Sequence, residues 1–342
     1  MSIDSNIATL STSGTGQQQE RCWREAFIPP AERIQLMKRQ TYRLLFFCAL
    51  TLLGAPSGRA QDRFFIQMSD PQFGMYTNNV GFAQETANLE FAIATANRLR
   101  PAFIVMSGDL INKPGDAAQV AEYLRVTHEI DPKIPLYNIA GNHDVGNIPT
   151  HESLAAYRRL FGKDYYSFRN GDMEGIVIDS SIIQHPEKVM DEEKTQREWL
   201  EIELRAAKVN GVKWIVVFQH IPWFLRTADE PDQYFNIPHE ARARYLEILE
   251  NSGVRYDFAG HLHQNSEGRE GSFTMVTTGP VGKPLGNASS GIRVIAIGEQ
   301  GLCNQYFGLG NLPNQIEVKS FPACESASGV VSPEANAGVK MR

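Results

Sequence analysis

Apolar positions along this chain follow two alternating rhythms: short runs rich in β-branched and aromatic residues, and longer stretches spaced for one face of a helix. Residues 63–68 read as a buried strand that stops at the polar Ser69-Asp70-Pro71-Gln72. Residues 84–98 place Leu89, Ile93 and Ala96 on one side of a helix. Pro101 opens a strand at 102–106 that ends in Ser107-Gly108-Asp109, and a helix over 117–129 leads to a strand at 136–139 and Ala140-Gly141-Asn142-His143-Asp144. The plan recurs with a helix at 192–208, a strand at 213–218 ending in Gln219-His220, a helix at 241–250, and a strand at 255–258 ending in Gly260-His261-Leu262-His263.

Strands alternating with helices predict an α/β fold with a mostly parallel sheet covered by helices, and ligands in such folds bind at the carboxyl ends of the strands. Five strands here end in residues able to hold a metal. The later segments 273–277, 292–297 and 302–307 read as short strands that complete a second sheet packed on the first. No linker or repeat interrupts the pattern, so one domain is expected over 61–318, followed by a flexible Ser-, Ala-, Gly- and Pro-rich tail at 319–342.

The first 60 residues depart from this rhythm. Residues 1–36 are a polar leader rich in Ser, Thr and Gln, or an over-extended start upstream of Met37. From Met37 a basic segment, an apolar stretch at 44–55 and the small residues of Gly58-Arg59-Ala60 follow the order of a secretory signal over 37–60. The alternative is an uncleaved anchor, but the stretch is shorter than the roughly 20 residues of an ordinary span. The expectation is an exported protein, periplasmic or secreted, without stable membrane insertion once the signal is cleaved. Cys22 and Cys48 would leave with that segment, and Cys303 and Cys324 remain as a disulfide pair or as two thiols. A formal net charge of -6 argues against a broad nucleic-acid surface, so no nucleic-acid partner is expected.

Taken one at a time, Asp-x-Gln at Asp70 and Gln72, Gly108-Asp109, or a strand-ending histidine is an ordinary turn. Their order is informative: Asp-x-Gln, Gly-Asp, Gly-Asn-His-Asp, a lone His, then Gly-His-Leu-His. This order resembles the calcineurin-like metallophosphoesterase signature, over about residues 63–300. The resemblance implies a four-layer α/β/β/α sandwich with a dinuclear metal site at the strand carboxyl ends. It implies one cation held by Asp70, Gln72, Asp109 and His263, and a second by Asp109, Asn142, His220 and His261, with Asp109 bridging. Mixed oxygen and imidazole ligands suit Mn, Fe or Zn, and Mg less well. His143 matches the family's catalytic, non-ligand histidine, and Asn142 and His143 would meet the phosphoryl group attacked by a hydroxide bridging the cations.

Two positions depart from the family pattern. Gln72 stands where a histidine is usual, so it is expected to be a weaker, neutral donor, or to hydrogen-bond a metal-bound water instead. Asn112 stands where the protein Ser/Thr phosphatases carry an aspartate beside the catalytic histidine; an asparagine brings no charge, so His143 is expected to be less basic. The run Asp70-Pro71-Gln72-Phe73-Gly74 is similar to the calcineurin-like phosphoesterase domain-containing protein 1 group, which implies a Ser/Thr phosphatase. The expected reaction is hydrolysis of phosphomonoesters, on a small molecule or a phosphoprotein. The alternatives are a phosphodiesterase for nucleotides or lipid head groups, and a catalytically weak metal-binding protein. His128, His151, His185 and His239 carry no motif and are expected at the surface or at helix ends. Trp223 and Phe224 would line the metals or pack a loop, and Lys283 would touch phosphate or belong to a turn.

Overall fold

The structure, a computed structural model, describes residues 63–318. The expected leader, signal segment and tail, with Cys22, Cys48 and Cys324, lie outside the described residues. Cys303 is disulfide-bonded.

The chain runs β1 (Arg63–Met68), α1 (Ala83–Leu99), β2 (Ile104–Met106), α2 (Ala117–Thr127), β3 (Leu136–Asn138), α3 (Asn142–Val145) and α4 (His151–Phe161). It continues with β4 (Tyr166–Asn170), β5 (Met173–Val177), α5 (Ser180–Gln184), α6 (Met190–Val209), β6 (Trp214–Phe218), α7 (His239–Asn251) and β7 (Tyr256–Ala259). The last strands are β8 (Ser266–Glu270), β9 (Phe273–Thr277), β10 (Gly291–Ile297) and β11 (Leu302–Gly308). Helix α1 buries Leu89, Ile93 and Ala96, the face its periodicity foretold. Asp116 starts α2, its carboxylate accepting from the amides of Ala118 and Gln119.

Two sheets form, in the order β11-β10-β1-β2-β3 and β4-β5-β6-β7-β9-β8. Side chains alternate across them as the strand period requires. Phe65, Val105, Val216, Phe218, Phe258 and Ile295 belong to an apolar core between the sheets, where Phe65 stacks on Phe103 at 4.6 Å. Their neighbours Ile66, Met106, Ile215, Val217 and Val294 belong to a second apolar cluster that also holds residues of α1, α2, α6 and α7. Since the inner faces are taken, the helices joining β1, β2 and β3 cover one outer face, and those joining β5, β6 and β7 cover the other. The result is an α/β/β/α sandwich.

The late strands differ from the sequence expectation. β9 enters the second sheet beside β7, whereas β10 pairs antiparallel with β1 and carries β11 on the first sheet. Periodicity reveals a strand but not its neighbour, which is chosen by long-range pairing. The hairpin of β4 and β5, strand β8 and helix α4 were not anticipated. β4 and β8 are the edges of the six-stranded sheet. Edge strands carry charged and polar residues, here Arg169, Asn170, Glu267, Arg269 and Glu270, that blur the apolar signal.

Candidate metal centre

The carboxyl ends of β1, β2 and β3 in one sheet face those of β6 and β7 in the other. Asp70, Asp109 and Asn142 come from the first edge, and His220, His261 and His263 from the second; all six are buried. Asp109, His220 and His261 bring one potential ligand atom each within 4.8 Å of one another, and so do Asp70, Asp109 and His263. Asp109 belongs to both groups. Asn142 Oδ1 lies 3.1 Å from His220 Nε2, which is itself 3.3 Å from Asp109 Oδ1, while His263 Nε2 is 3.3 Å from Asp70 Oδ1.

The backbone is bent to achieve this. Asp70, Gln72, Asp109, His261 and His263 all have left-handed φ, between +40° and +70°. Such residues are uncommon outside glycine and gather at functional sites, held there by their surroundings. The flanking glycines allow the strand ends to touch. A Cβ on Gly141 would lie 2.1 Å from the Asp109 amide nitrogen, and one on Gly260 would lie 1.9 Å from Ser69 Oγ.

A family model described as calcineurin-like phosphoesterase matches residues 65–265. The chain belongs to that family. Serine/threonine-protein phosphatase CPPED1 of Bos taurus is 34% identical over 264 residues, covering 73% of this chain and 84% of the bovine protein. Its Homo sapiens counterpart is 34% identical over 265 residues with the same coverage. A solved dimetal phosphatase from Danio rerio shares the fold, with a TM-score of 0.54 at 16% identity over 72% of this chain and 96% of that one. This phosphoesterase is therefore a hydrolase of phosphoric esters.

The donor set of the phosphoesterase fits divalent cations. Each imidazole has one nitrogen held by a backbone carbonyl: His220 Nδ1 by Ser107 at 2.8 Å, His261 Nε2 by Tyr234 at 3.0 Å, and His263 Nδ1 by Lys283 at 2.6 Å. A carbonyl can only accept, so that nitrogen carries a proton and the other is the one a metal would take, displacing any proton on it. Gln72 Nε2 donates to Asn112 Oδ1 at 3.2 Å, and Gln72 Oε1 is buried without a hydrogen-bond partner.

The electrostatics point the same way. Burial works against charge on Asp70 and Asp109, yet His263 beside the first and His220 beside the second hold both carboxyls below their usual range. His220, in spite of its burial, is pushed up to about 10 by Asp109 and Asp70. Burial and the neighbouring His220 push His261 down to about 4. The two carboxylates attract positive charge into a buried space, the property a cation site needs.

His143 is half-buried at the margin of this cluster. Its backbone amide donates to Asp109 Oδ1 at 2.8 Å, and its Nδ1 donates to the Asn112 carbonyl at 2.8 Å. Asn112 thus meets the imidazole through its backbone, and its side-chain amide donates to Asn79. Trp223 and Phe224 do not wall the site: both are fully buried in the core, with Trp223 stacked on Tyr245 and its Nε1 bonded to Asp257. The Lys283 ammonium reaches the Met75 carbonyl at 3.5 Å and lies over Tyr76, so only the Lys283 carbonyl serves the centre. His128, His151, His185 and His239 stand at helix ends.

Two residues escaped sequence reasoning. The Asp144 carboxylate accepts from the amides of Leu110, Ile111 and Gly141, at 2.9, 3.2 and 2.9 Å, and so ties the turn after β2 to the turn after β3. The Asn-His-Asp run exposed it, but no feature of the run told a staple from a ligand. Tyr234 contacts Asn142 and His261 from a loop that carries no motif.

Proposed function

We propose that this phosphoesterase removes phosphate from phosphomonoesters, with phosphoserine and phosphothreonine of proteins as the substrate class. The observation that carries this reading is the 34% identity, over 84% of its length, to a protein named a serine/threonine phosphatase. In this reading Asp70, Gln72, Asp109 and His263 hold one cation, and Asp109, Asn142, His220 and His261 hold a second. When bound, the cations supply an acidified water as nucleophile and neutralise charge that builds on the phosphoryl oxygens. His143 gives up Nδ1 to the Asn112 carbonyl, which orients the ring and leaves Nε2 to protonate the leaving oxygen. Asn142 and His143 flank the phosphoryl group.

The test is hydrolysis of p-nitrophenyl phosphate, bis-p-nitrophenyl phosphate and a phosphoserine peptide by protein stripped of metal and reloaded with Mn. Metal-dependent turnover of the monoester and the peptide is expected, with kcat falling about 10²–10⁴-fold in His143→Ala while Mn content is retained. Faster turnover of the diester would replace this reading with a phosphodiesterase, and absence of both turnover and Mn binding would point to a non-catalytic protein.

A further inference from the structure

The loop between β6 and α7 is built rather than slack. Arg242, fully buried on α7, donates to the carbonyls of Ile237, Ala228 and Glu230 at 3.1, 2.8 and 2.9 Å. The Glu230 carboxylate accepts from the amides of Leu225 and Arg226 and from Asn236 Nδ2. Gln184 Nε2, at the end of α5, donates to the carbonyls of Tyr234 and Asn236, both at 3.1 Å. These bonds hold in place a tyrosine that is 52% exposed.

Tyr234 meets the centre through two atoms, its carbonyl and its hydroxyl. Its carbonyl accepts from His261 Nε2 at 3.0 Å, and its ring centroid lies 4.9 Å from that of His261. Its hydroxyl accepts from Asn142 Nδ2 at 3.1 Å, while the other hydrogen of that amide goes to Asn147 Oδ1 at 2.7 Å. An asparagine amide has two N–H donors and one oxygen. With both donors engaged on the far side, only Oδ1 faces His220, and a reversed amide would present N–H groups that bind no cation.

We propose that Tyr234 is a positioning residue for one half of the metal centre, its hydroxyl fixing the amide of Asn142 and its carbonyl fixing the imidazole of His261. The proposal rests on the ligand assignment given above. Tyr234→Phe keeps the ring, the carbonyl and the loop and removes only the hold on Asn142. Groups that orient a metal ligand are worth roughly 10–100-fold in affinity. Loss of the hydroxyl therefore weakens the cation shared by Asn142, His220 and His261 about tenfold and leaves the cation of Asp70, Gln72 and His263 unchanged.

The experiment is a Mn titration of the metal-stripped protein followed by electron paramagnetic resonance, which separates free, isolated and exchange-coupled Mn. Wild type is expected to take up two equivalents and show the coupled signal. Tyr234→Phe is expected to bind its first equivalent as wild type does and to need about tenfold more Mn for the coupled signal. On an Asn142→Ala background, the same substitution is expected to cause no further loss, since the residue it acts through is gone. Coupled signals at equal Mn in wild type and Tyr234→Phe would overturn the proposal, as would an equal loss on the Asn142→Ala background. Fewer than two Mn in wild type would overturn the dinuclear assignment as well.

Discussion

Gln72 joins a left-handed φ of +40° to a buried amide oxygen without a partner. An unpaired buried acceptor costs about 1–3 kcal/mol, and a cation at that position would remove the cost. A neutral amide oxygen is a weaker donor than imidazole for Mn, Fe or Zn. Gln72→His is therefore expected to tighten the cation shared with Asp70 and His263, since histidine is among the residues that tolerate positive φ. Isothermal titration with Mn checks this, and an unchanged Kd would count against Gln72 as a ligand. The residue identities at this centre were legible because polar metal-binding types stood directly after apolar strands. The carbonyls that orient the imidazoles were not, because every residue has a carbonyl and only its placement distinguishes it.

At the scale of elements, the short helix α5 supports the turn that carries His220. Ser180 Oγ accepts from the amides of His220 and Ile221 at 3.2 and 2.8 Å, and the preceding Asp179 caps the helix by accepting from Ser181 N at 2.9 Å. Burial, reinforced by Asp164, pushes the Asp179 carboxyl up to about 7, and its Oδ2 has no hydrogen-bond partner. The folded state thus keeps a proton that the unfolded chain releases near pH 4, so this group's contribution to stability falls as pH rises from about 4 through about 7. Asparagine caps a helix as well as aspartate does and carries no charge. Asp179→Asn is expected to be close to neutral at pH 4 and stabilising by on the order of 1–3 kcal/mol at pH 8. Urea unfolding at the two pH values measures this, and an equal effect at both would contradict it. Helix α5 was invisible in the sequence because a five-residue helix holds too little periodicity to register.

At the scale of the whole molecule, the centre joins two sheets that are otherwise held by an aromatic-rich core. Asp70, Asp109 and Asn142 stand on one sheet edge, and His220, His261 and His263 on the other, so bound cations would clamp the sandwich along its carboxyl edge. A ligand that binds only the folded state stabilises it by about 2.7 kcal/mol at a hundred times its Kd. Chelator-stripped protein is expected to unfold at a lower temperature than Mn-loaded protein, with a midpoint that climbs with free Mn. A midpoint independent of Mn would show that the edges do not share a cation. The sequence alone determined that strands alternate with helices and that metal-binding residue types follow five strand ends, since both are local patterns of apolar period and residue chemistry. Only the tertiary structure decided that β10 joins β1, that the candidate ligands come together from two sheets, that Tyr234 contacts Asn142 and His261, and that Asp144 ties the turn after β2 to the turn after β3. Those facts rest on pairings between residues distant in the chain, which no local pattern specifies.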